Sequence, residues 1–477
     1  MELLQTFEAL LQMWRSAFPQ QRSFERARRL TFGLLACMRS HLTSNAICAV
    51  GRQFQDWTGD YRLHSRSPWD PHRLFDPIFD CVRPLLHPNS APVFMAMDDT
   101  GAKKSGRKIP GVFTMRDPMS PHFHVNLMRG LRFVQASLLI FAQSPGPARA
   151  LPVRFEPAPM PPKPKKNASP ELLKQYRQQK KALCLSQVGV KVLASVRHSL
   201  DQFPDTLCRQ LIALVDGSYT NSTVLKNLPD RTTLIGRIRK DAKLNQSLSL
   251  PAKGRRRYGP QSPTPEQLLK DLSIPVQIVK CFIAGKLQTI SFKSVAPLFW
   301  SKAGPDRPLR LVLIKPLGYR LSKTSKPLYR QPAFLICTDL NLPLETIIQA
   351  YIYRWEIECN HRDEKSFIGV AEGQVRSPKA VSRLPQFQAA AYSLLLLASL
   401  LSFGFDRSSH FLPLPKWRNR KPLRPSILDL LNLLRSSLFH RASTSSSLSG
   451  HFASPPHSNA KSSTFAITPS LLAVPSS

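Results

Sequence analysis

The segment from residue 350 to residue 365, AYIYRWEIECNHRDEK, constrains the fold and function of this chain more than any other stretch. An α-helix turns by about 100° per residue, so a helical segment would place one phenol, three cations and one carboxylate on a stripe roughly 80° wide. These side chains are Tyr351, Arg354, Glu358, Arg362 and Lys365. One acid among cations on a helix face is suited to holding a metal ion beside a phosphate backbone. The alternative is an ordinary solvated face with ion pairs between residues four apart.

Two apolar runs elsewhere in the chain each end in aspartate. VFMAM precedes Asp98 and Asp99, and LIALV precedes Asp216. Each run predicts a buried strand, and carboxylates that follow such strands lie at the carboxyl edge of an α/β sheet. The alternative for each site is a turn in which aspartate only starts the chain reversal.

The order Tyr351, Arg354, Glu358, Lys365 resembles the Y-x2-R-x3-E-x6-K signature of bacterial insertion-sequence transposases with a DDE active site. The resemblance implies an α/β fold of the ribonuclease H-like type, in which a mixed sheet is flanked by helices. It also implies a β-rich insertion between the fifth strand and the helix that carries the glutamate. In that family, Tyr351, Arg354 and Lys365 would contact phosphates of the cleaved DNA strand.

The resemblance further implies three catalytic, metal-binding carboxylates. The family pattern assigns these roles to Asp99, Asp216 and Glu358, with Asp98 as the alternative to Asp99. Three converging carboxylates repel one another, so they imply divalent cations between them, and oxygen-only ligands favour Mg²⁺ or, in its place, Mn²⁺. His122 and His124 have no further ligand-type residue at metal spacing, so we expect loop or surface histidines there.

Composition, together with what the resemblance implies for the catalytic domain, divides the chain into six predicted segments. In order they are a helical, DNA-end-binding domain, the first part of the catalytic domain, the β-rich insertion, the remainder of the catalytic domain, a basic segment and a disordered Ser-rich tail. Their boundaries are 1–88, 89–244, 245–343, 344–410, 411–440 and 441–477. Within the catalytic domain we expect an extended Pro- and Lys-rich connector at 144–170 and a strand at 232–244.

The formal net charge of +37 favours a polyanionic partner. Double-stranded DNA, as transposon ends and target, is the leading candidate, and basic loops at 253–257 and 416–425 add to this charge. The eight scattered cysteines include no C-x2-C pair, which argues against a zinc ribbon or a disulfide framework and indicates a reducing cytosol. The resemblance implies a bacterial cytoplasm, with the protein on the nucleoid when bound. The resemblance alone implies a homodimer in the synaptic complex.

The segment 387–405 is the one place where a membrane competes with this interpretation. It holds 19 residues without a formal charge, which is close to the length that spans a bilayer. We expect instead a buried core helix, because the segment follows the signature helix and contains Gln388 and Tyr392.

The function expected from the sequence is therefore a DDE transposase. It would cut DNA at transposon ends in a metal-dependent step and join the 3′-hydroxyl to target DNA. The first alternative is a catalytically decayed DNA-binding protein derived from such an enzyme. A basic membrane-associated protein is the second, and a carboxylate-pair glycosidase would have no use for the charge.

Overall fold

The computed structural model describes residues 2–86, 91–106, 108–117, 120–121, 123–248, 257–320, 324–418 and 422–444. His122, residues 253–256 of one predicted basic loop, residues 419–421 of the other and the Ser-rich tail from 445 onward lie outside the described residues.

Helices occupy both ends of the described chain and alternate with strands in its centre. They are α1 (Leu3–Met13), α2 (Gln21–Ala36), α3 (Thr43–Ala49), α4 (Thr58–Ser65), α5 (Asp76–Val82), α6 (Pro170–Ala182), α7 (Leu185–Asp201), α8 (Pro204–Leu207), α9 (Ser222–Lys226), α10 (Pro265–Lys270), α11 (Leu344–Tyr353), α12 (Glu356–Phe367), α13 (Pro378–Phe403) and α14 (Ile427–Thr444). Short 3₁₀ turns lie at Trp14–Ala17, His72–Phe75 and Arg83–Leu85.

The strands form one large mixed sheet and a small ribbon. They are β1 (Val93–Lys103), β2 (Phe113–Arg116), β3 (Leu127–Phe141), β4 (Ala148–Pro157), β5 (Leu211–Val215), β6 (Thr232–Arg237), β7 (Gln277–Ile283), β8 (Lys286–Trp300), β9 (Gly304–Ile314), β10 (Gly318–Tyr319), β11 (Leu328–Tyr329) and β12 (Ala333–Cys337). The sheet order is β2-β3-β1-β5-β6-β12-β9-β8-β7, with β4 also paired to β3, and β10 pairs with β11.

The centre of the sheet is parallel and its flanks are antiparallel. β1, β5 and β6 run parallel, whereas β3 pairs antiparallel with β1 and β12 pairs antiparallel with β6. The predicted β-rich insertion therefore adds strands to the same sheet, because β12, β9, β8 and β7 continue it beyond β6. This is a mixed α/β fold of the ribonuclease H-like type, as the sequence predicted.

Alternation along β1 decides which helices cover which side chains. Phe94 and Ala96 lie in one core cluster with Ile347 of α11 and Ile357 of α12. Met97 points to the other face, where its methyl group lies against Gly189 of α7. Successive side chains of a strand point to opposite faces, so even-numbered residues of β1 face α11 and α12.

The structure corrects four local predictions. The signature segment is two helices, because α11 ends at Tyr353 and α12 begins at Glu356. The first strand does not end at the acids but continues through both of them to Lys103. The predicted extended connector contains the strand β4, and the strand predicted at 232–244 ends at Arg237.

The described residues form two compact units, one of residues 64–393 and one of residues 1–63 together with the described chain from 394 onward. The second unit is helical, as expected for the N-terminal region. In it, Arg435 of α14 donates to the carbonyl oxygens of Leu35 (2.9 Å) and Cys37 (2.8 Å), and so caps the end of α2. The segment boundaries predicted after residues 88, 244, 343 and 410 stay predictions.

Among the described residues, one helix is long and apolar enough to cross a membrane. It is α13, and 94% of its apolar 18-residue window is buried inside the protein. Gln388 donates to the carbonyl oxygens of Ile368 (3.2 Å) and Gly369 (3.1 Å), and Ser393 donates to Pro152 (2.6 Å). Such burial and polar contacts favour the core-helix interpretation.

Candidate active site

The pairing of β1 with β5 brings two aspartates side by side. Met97 pairs with Val215 in the parallel ladder, so the next residues along the two strands are Asp98 and Asp216. β5 ends at Val215, which leaves Asp216 in the following loop at the carboxyl edge of the sheet. The sequence prediction of a buried strand that ends just before Asp216 is confirmed, and the catalytic role of Asp216 stays a prediction.

Asp98 and Asp99 have different neighbours. Asp98 accepts from Arg354 at 3.0 Å, which places it on the face of β1 covered by α12. Asp99 lies one residue further, on the opposite side of the strand, and pairs with Arg132 of β3 at 3.3 Å. The doublet therefore supplies one carboxylate to each face.

Arg354 joins the acids of β1 and α12. Its two terminal nitrogens contact Asp98 Oδ2 and Glu358 Oε1, each at 3.0 Å, and its side chain is only 12% exposed. Its guanidinium also lies over the ring of Tyr351, 5.6 Å from the centroid. Arg354 follows the last residue of α11, so the interruption between the helices places it between sheet and helix.

The electrostatics show that the carboxylates of this cluster affect one another. Burial raises the pKa of Asp98 to about 7; Arg354 opposes the shift and the negative charge of Asp216 adds to it. Burial also raises the pKa of Glu358; the positive charge of Arg354 opposes this shift, and the negative charge of Asp216 adds to it. The pKa of Arg354 is raised in return. Burial alone would lower it, but Tyr351, Asp98 and Glu358 outweigh burial.

The loop after β5 holds Asp216 in place. The carboxylate of Asp216 accepts from the backbone N–H of Ser218 at 2.9 Å and from the Ser218 hydroxyl at 3.1 Å. Thr220 donates to the Asp216 carbonyl oxygen at 2.8 Å. Asn221 then caps α9 and donates to Ser186 at the start of α7 at 2.8 Å.

Lys365 lies two turns beyond Glu358 and belongs to the surroundings of Asp99. Burial lowers the pKa of Lys365, while Glu364, Asp117 and Asp99 raise it. Burial raises the pKa of Asp99, opposed by Arg132, and Lys365 also opposes it. The structure thus groups Tyr351, Arg354 and Glu358 beside Asp98 and Asp216, whereas Lys365 acts electrostatically on Asp99.

The donor chemistry of this cluster fits a hard divalent cation, but the side chains are arranged around Arg354. Asp98, Asp216 and Glu358 offer only carboxylate oxygens, which are the ligands that Mg²⁺ and Mn²⁺ prefer. Within the described residues, no three His, Cys, Asp or Glu side chains stand close enough together to hold a metal ion. Convergence of the three carboxylates requires that the guanidinium between Asp98 and Glu358 move aside.

Two residues near the acids were not anticipated from the sequence. Tyr219 is fully buried, and its hydroxyl has no hydrogen-bond partner within the described part of the chain. Burial raises the pKa of Tyr219, and the negative charges of Asp99, Asp98 and Asp216 raise it further. Its ring occupies space left by Gly189 of α7, where an added Cβ would come within 2.8 Å of the ring. Arg132 reaches Asp99 from the antiparallel neighbour β3. Tyr219 could have been found from its position three residues after Asp216, whereas Arg132 depends on the β1–β3 register.

A buried polar network fixes α12 on the sheet. Asn360 is 2% exposed and donates to Ser137 Oγ of β3 and to the Ala150 carbonyl of β4, each at 3.2 Å. Tyr392 of α13 donates to Asn360 Oδ1 at 3.2 Å. The helix that carries Glu358 is therefore fixed at its buried face by hydrogen bonds to three other elements, namely the Ser137 and Tyr392 side chains and the Ala150 backbone.

Comparison with known proteins identifies the family. A family model described as DDE superfamily endonuclease matches residues 15–280, which is more than half of the 477-residue chain. The chain belongs to the DDE superfamily endonucleases. The matched range includes Asp98, Asp99 and Asp216, and it ends before the helix that carries Glu358. No curated protein matches the sequence.

Proposed function

We propose that this DDE superfamily endonuclease is a transposase of the insertion-sequence type, which cuts DNA at transposon ends and transfers the 3′-hydroxyl into target DNA. The observation that carries the proposal is the pair of contacts from Arg354 to Asp98 and Glu358, beside Asp216 at the carboxyl edge of the sheet. Half-buried carboxylates held close together at such an edge are unfavourable unless a cation compensates their charge.

We assign the metal-binding and catalytic role to Asp98, Asp216 and Glu358. Asp98 takes precedence over Asp99 because it lies on the face of β1 that α12 covers, with Glu358 as a neighbour through Arg354. Bound Mg²⁺, or Mn²⁺, would supply the Lewis acidity that activates a water or a 3′-hydroxyl and stabilises the leaving oxygen in an in-line displacement. Asp99 stays the candidate that the family pattern names, and it is tested below.

Arg354 has two roles in this mechanism. Without metal it neutralises Asp98 and Glu358 at 3.0 Å each. Once those carboxylates hold cations, its guanidinium is free to bind a phosphate of the cleaved strand in a bidentate manner. Tyr351, which lies under the guanidinium, and Lys365, further along α12, would contact flanking phosphates.

The partners and location form part of the same proposal. Double-stranded DNA is the substrate, held through salt-sensitive phosphate contacts by a chain of net charge +37. Pairing of two transposon ends requires two active sites, so we propose a homodimer in the synaptic complex. The protein would act in a bacterial cytoplasm, on the nucleoid.

The test is cleavage of a labelled duplex that contains the DNA flanking the gene. Wild type and Glu358→Gln are compared with Mg²⁺ and with a chelator. Glu356→Gln is the matched control, because Glu356 is on the same helix but about 200° around it from Glu358. We expect metal-dependent nicks at a defined end for wild type and Glu356→Gln, and a loss of at least about 100-fold for Glu358→Gln.

Two results would contradict the proposal. Tight binding without cutting by any of the three proteins would indicate a catalytically decayed DNA-binding protein. Nicks of equal rate in wild type and Glu358→Gln would mean that the active site lies elsewhere. Both results leave the family assignment intact.

A further inference from the structure

The helix α6 and the chain that leads into it form an exposed basic surface. Residues 159–184 contain seven cations and one acid, Glu171. The cations are Lys163, Lys165, Lys166, Lys174, Arg177, Lys180 and Lys181. All seven are exposed, and α6 has no buried residue along its 13 residues.

The described part of the chain supplies no ion-pair partner for the cations of this surface. Among the described residues none of the seven takes part in an ion pair. Lys174 and Arg177 are three residues apart, and Arg177 and Lys181 are four apart, so like charges face each other along the helix. A short helix that buries nothing and repels itself is poorly stabilised alone, and a polyanion would relieve the repulsion.

The three cations Lys174, Arg177 and Lys181 form one stripe. At about 100° per residue they lie within roughly 60° of each other, and the half-buried Tyr176 and Leu183 are on the other side of the helix. The helix therefore presents charge to solvent along its length. A row of three cations spaced over two turns matches successive phosphates of a DNA backbone better than a single anion.

The C-terminal end of α6 lies close along the chain to a contact with the loop that follows Asp216. α6 ends at Ala182, and α7 begins three residues later at Leu185. Ser186, the second residue of α7, accepts from Asn221 at 2.8 Å, and Asn221 lies in the loop that starts with Asp216. The C-terminal end of α6 is thus connected, through one side-chain contact, to the loop of a candidate metal ligand.

We propose that the surface formed by α6 and residues 163–166 binds the backbone of double-stranded DNA outside the cleaved phosphodiester. This rests on the proposed function only in that DNA is the substrate, and it concerns binding rather than cutting. DNA is favoured over an anionic membrane because α6 lacks the broad row of large apolar side chains with which helices enter a bilayer interface. Its large apolar or aromatic side chains are three, of which Leu173 and Tyr176 are half-buried and Leu172 is 48% exposed.

The experiment measures DNA affinity without divalent metal, so cleavage does not enter. Full-length wild type is compared with a triple variant, Lys174→Gln, Arg177→Gln and Lys181→Gln, on a labelled duplex of arbitrary sequence over a range of salt concentrations. The matched control carries Lys270→Gln, Lys280→Gln and Lys286→Gln, which removes the same charge from exposed positions of α10, β7 and β8. Thermal unfolding of all three proteins checks that they are folded.

We expect the α6 variant to bind at least about tenfold more weakly, and the slope of log affinity against log salt to fall by about 2 to 3, since each phosphate contact contributes about 0.9. The control should lose much less. Acetylation of Lys174 and Lys181 should be slowed by DNA, whereas acetylation of Lys280 and Lys286 should not.

Equal losses in both variants would show a general charge effect and would overturn the proposal. It would also be overturned if the α6 variant bound DNA as wild type does, or if it lost only its affinity for anionic lipid vesicles. A failure of the Glu358→Gln cleavage test leaves these binding results unaffected, so the two proposals can fail separately.

Discussion

At the scale of single residues, Asp98 and Asp99 allow the sharpest test of the site. Asp98 contacts Arg354 at 3.0 Å, whereas Asp99 contacts Arg132 at 3.3 Å on the other side of β1. We expect Asp98→Asn to slow metal-dependent cleavage by about 100-fold or more, because it removes a negative ligand beside Glu358. Asp99→Asn should cause a clearly smaller loss. The opposite order, measured in the same cleavage assay, would assign the first ligand to Asp99.

The raised pKa of Asp98 gives a second prediction at this scale. The pKa is about 7 in the folded protein against 3.8 ordinarily, so between these values the folded chain holds a proton that the unfolded chain releases. The contribution of Asp98 to the stability of the metal-free protein is therefore fully present below pH 4 and is lost as pH rises towards 7. We expect Asp98→Asn to be as stable as wild type near pH 4 and more stable at pH 8, by on the order of 1–3 kcal/mol.

Thermal or urea unfolding at several pH values, with a chelator present, measures this effect. Asp230→Asn, at an exposed position, controls for the loss of one negative charge. A stability difference that is the same at pH 4 and pH 8 would show that burial does not govern the ionisation of Asp98.

The sequence could locate these acids but could not separate them. Apolar runs predict where strands place carboxylates, so Asp216 and the doublet at 98 and 99 were found. The choice between Asp98 and Asp99 depends on which face of β1 is covered by α12, and only the packing in the folded protein shows that face. The sequence did not predict the contact of Arg132 with Asp99, because that contact depends on the antiparallel register of β3 with β1, about 30 residues away in the chain.

At the scale of elements, α12 matters most because it carries Glu358. Asn360 holds its buried face through Ser137, Ala150 and Tyr392. We expect Asn360→Ala to lower the free energy of unfolding by about 2–4 kcal/mol, because it leaves buried partners unsatisfied and opens a small void. In the cleavage assay it should reduce kcat more than it changes KM, since the helix would be less firmly placed for the reaction.

Asn227→Ala is the control for this prediction. Asn227 is exposed at the end of α9, and its side chain donates to the carbonyl oxygen of Thr223 in that helix. We expect its stability to change by less than about 0.5–1 kcal/mol. Equal effects of the two variants would show that the network does not position α12.

Elements differ in how well the sequence predicts them. β5 was found because five consecutive apolar residues are all buried. β4 was missed because its prolines indicated a connector, yet Pro152 lies in a strand that pairs on one side only, beside an irregularity in the β3–β4 register. A proline is tolerated there because no second ladder needs its N–H. The break after Tyr353 was missed because helix propensity is continuous across it.

At the scale of the whole molecule, the pairing of strands far apart in the chain shows where the β-rich insertion lies, which composition does not show. The alternating strands between residues 277 and 337 predicted a β-rich insertion, but only the β6–β12 pairing shows that it extends the central sheet. The net charge of +37 predicted polyanion binding without locating it. Charge is a property of the surface and says little about the fold, so its functional meaning depends on where uncompensated cations such as those of α6 lie.

The last prediction concerns the apolar helix α13 and the membrane alternative. Because 94% of its apolar window is buried inside the protein, we expect no association with neutral lipid vesicles in a flotation assay without detergent. Anionic vesicles need a separate arm, since a chain of charge +37 will bind them electrostatically; that binding should disappear at about 1 M salt, where the Debye length falls to about 3 Å. Flotation with neutral vesicles at high salt would show that α13 leaves the core to enter lipid, because only apolar insertion survives both conditions.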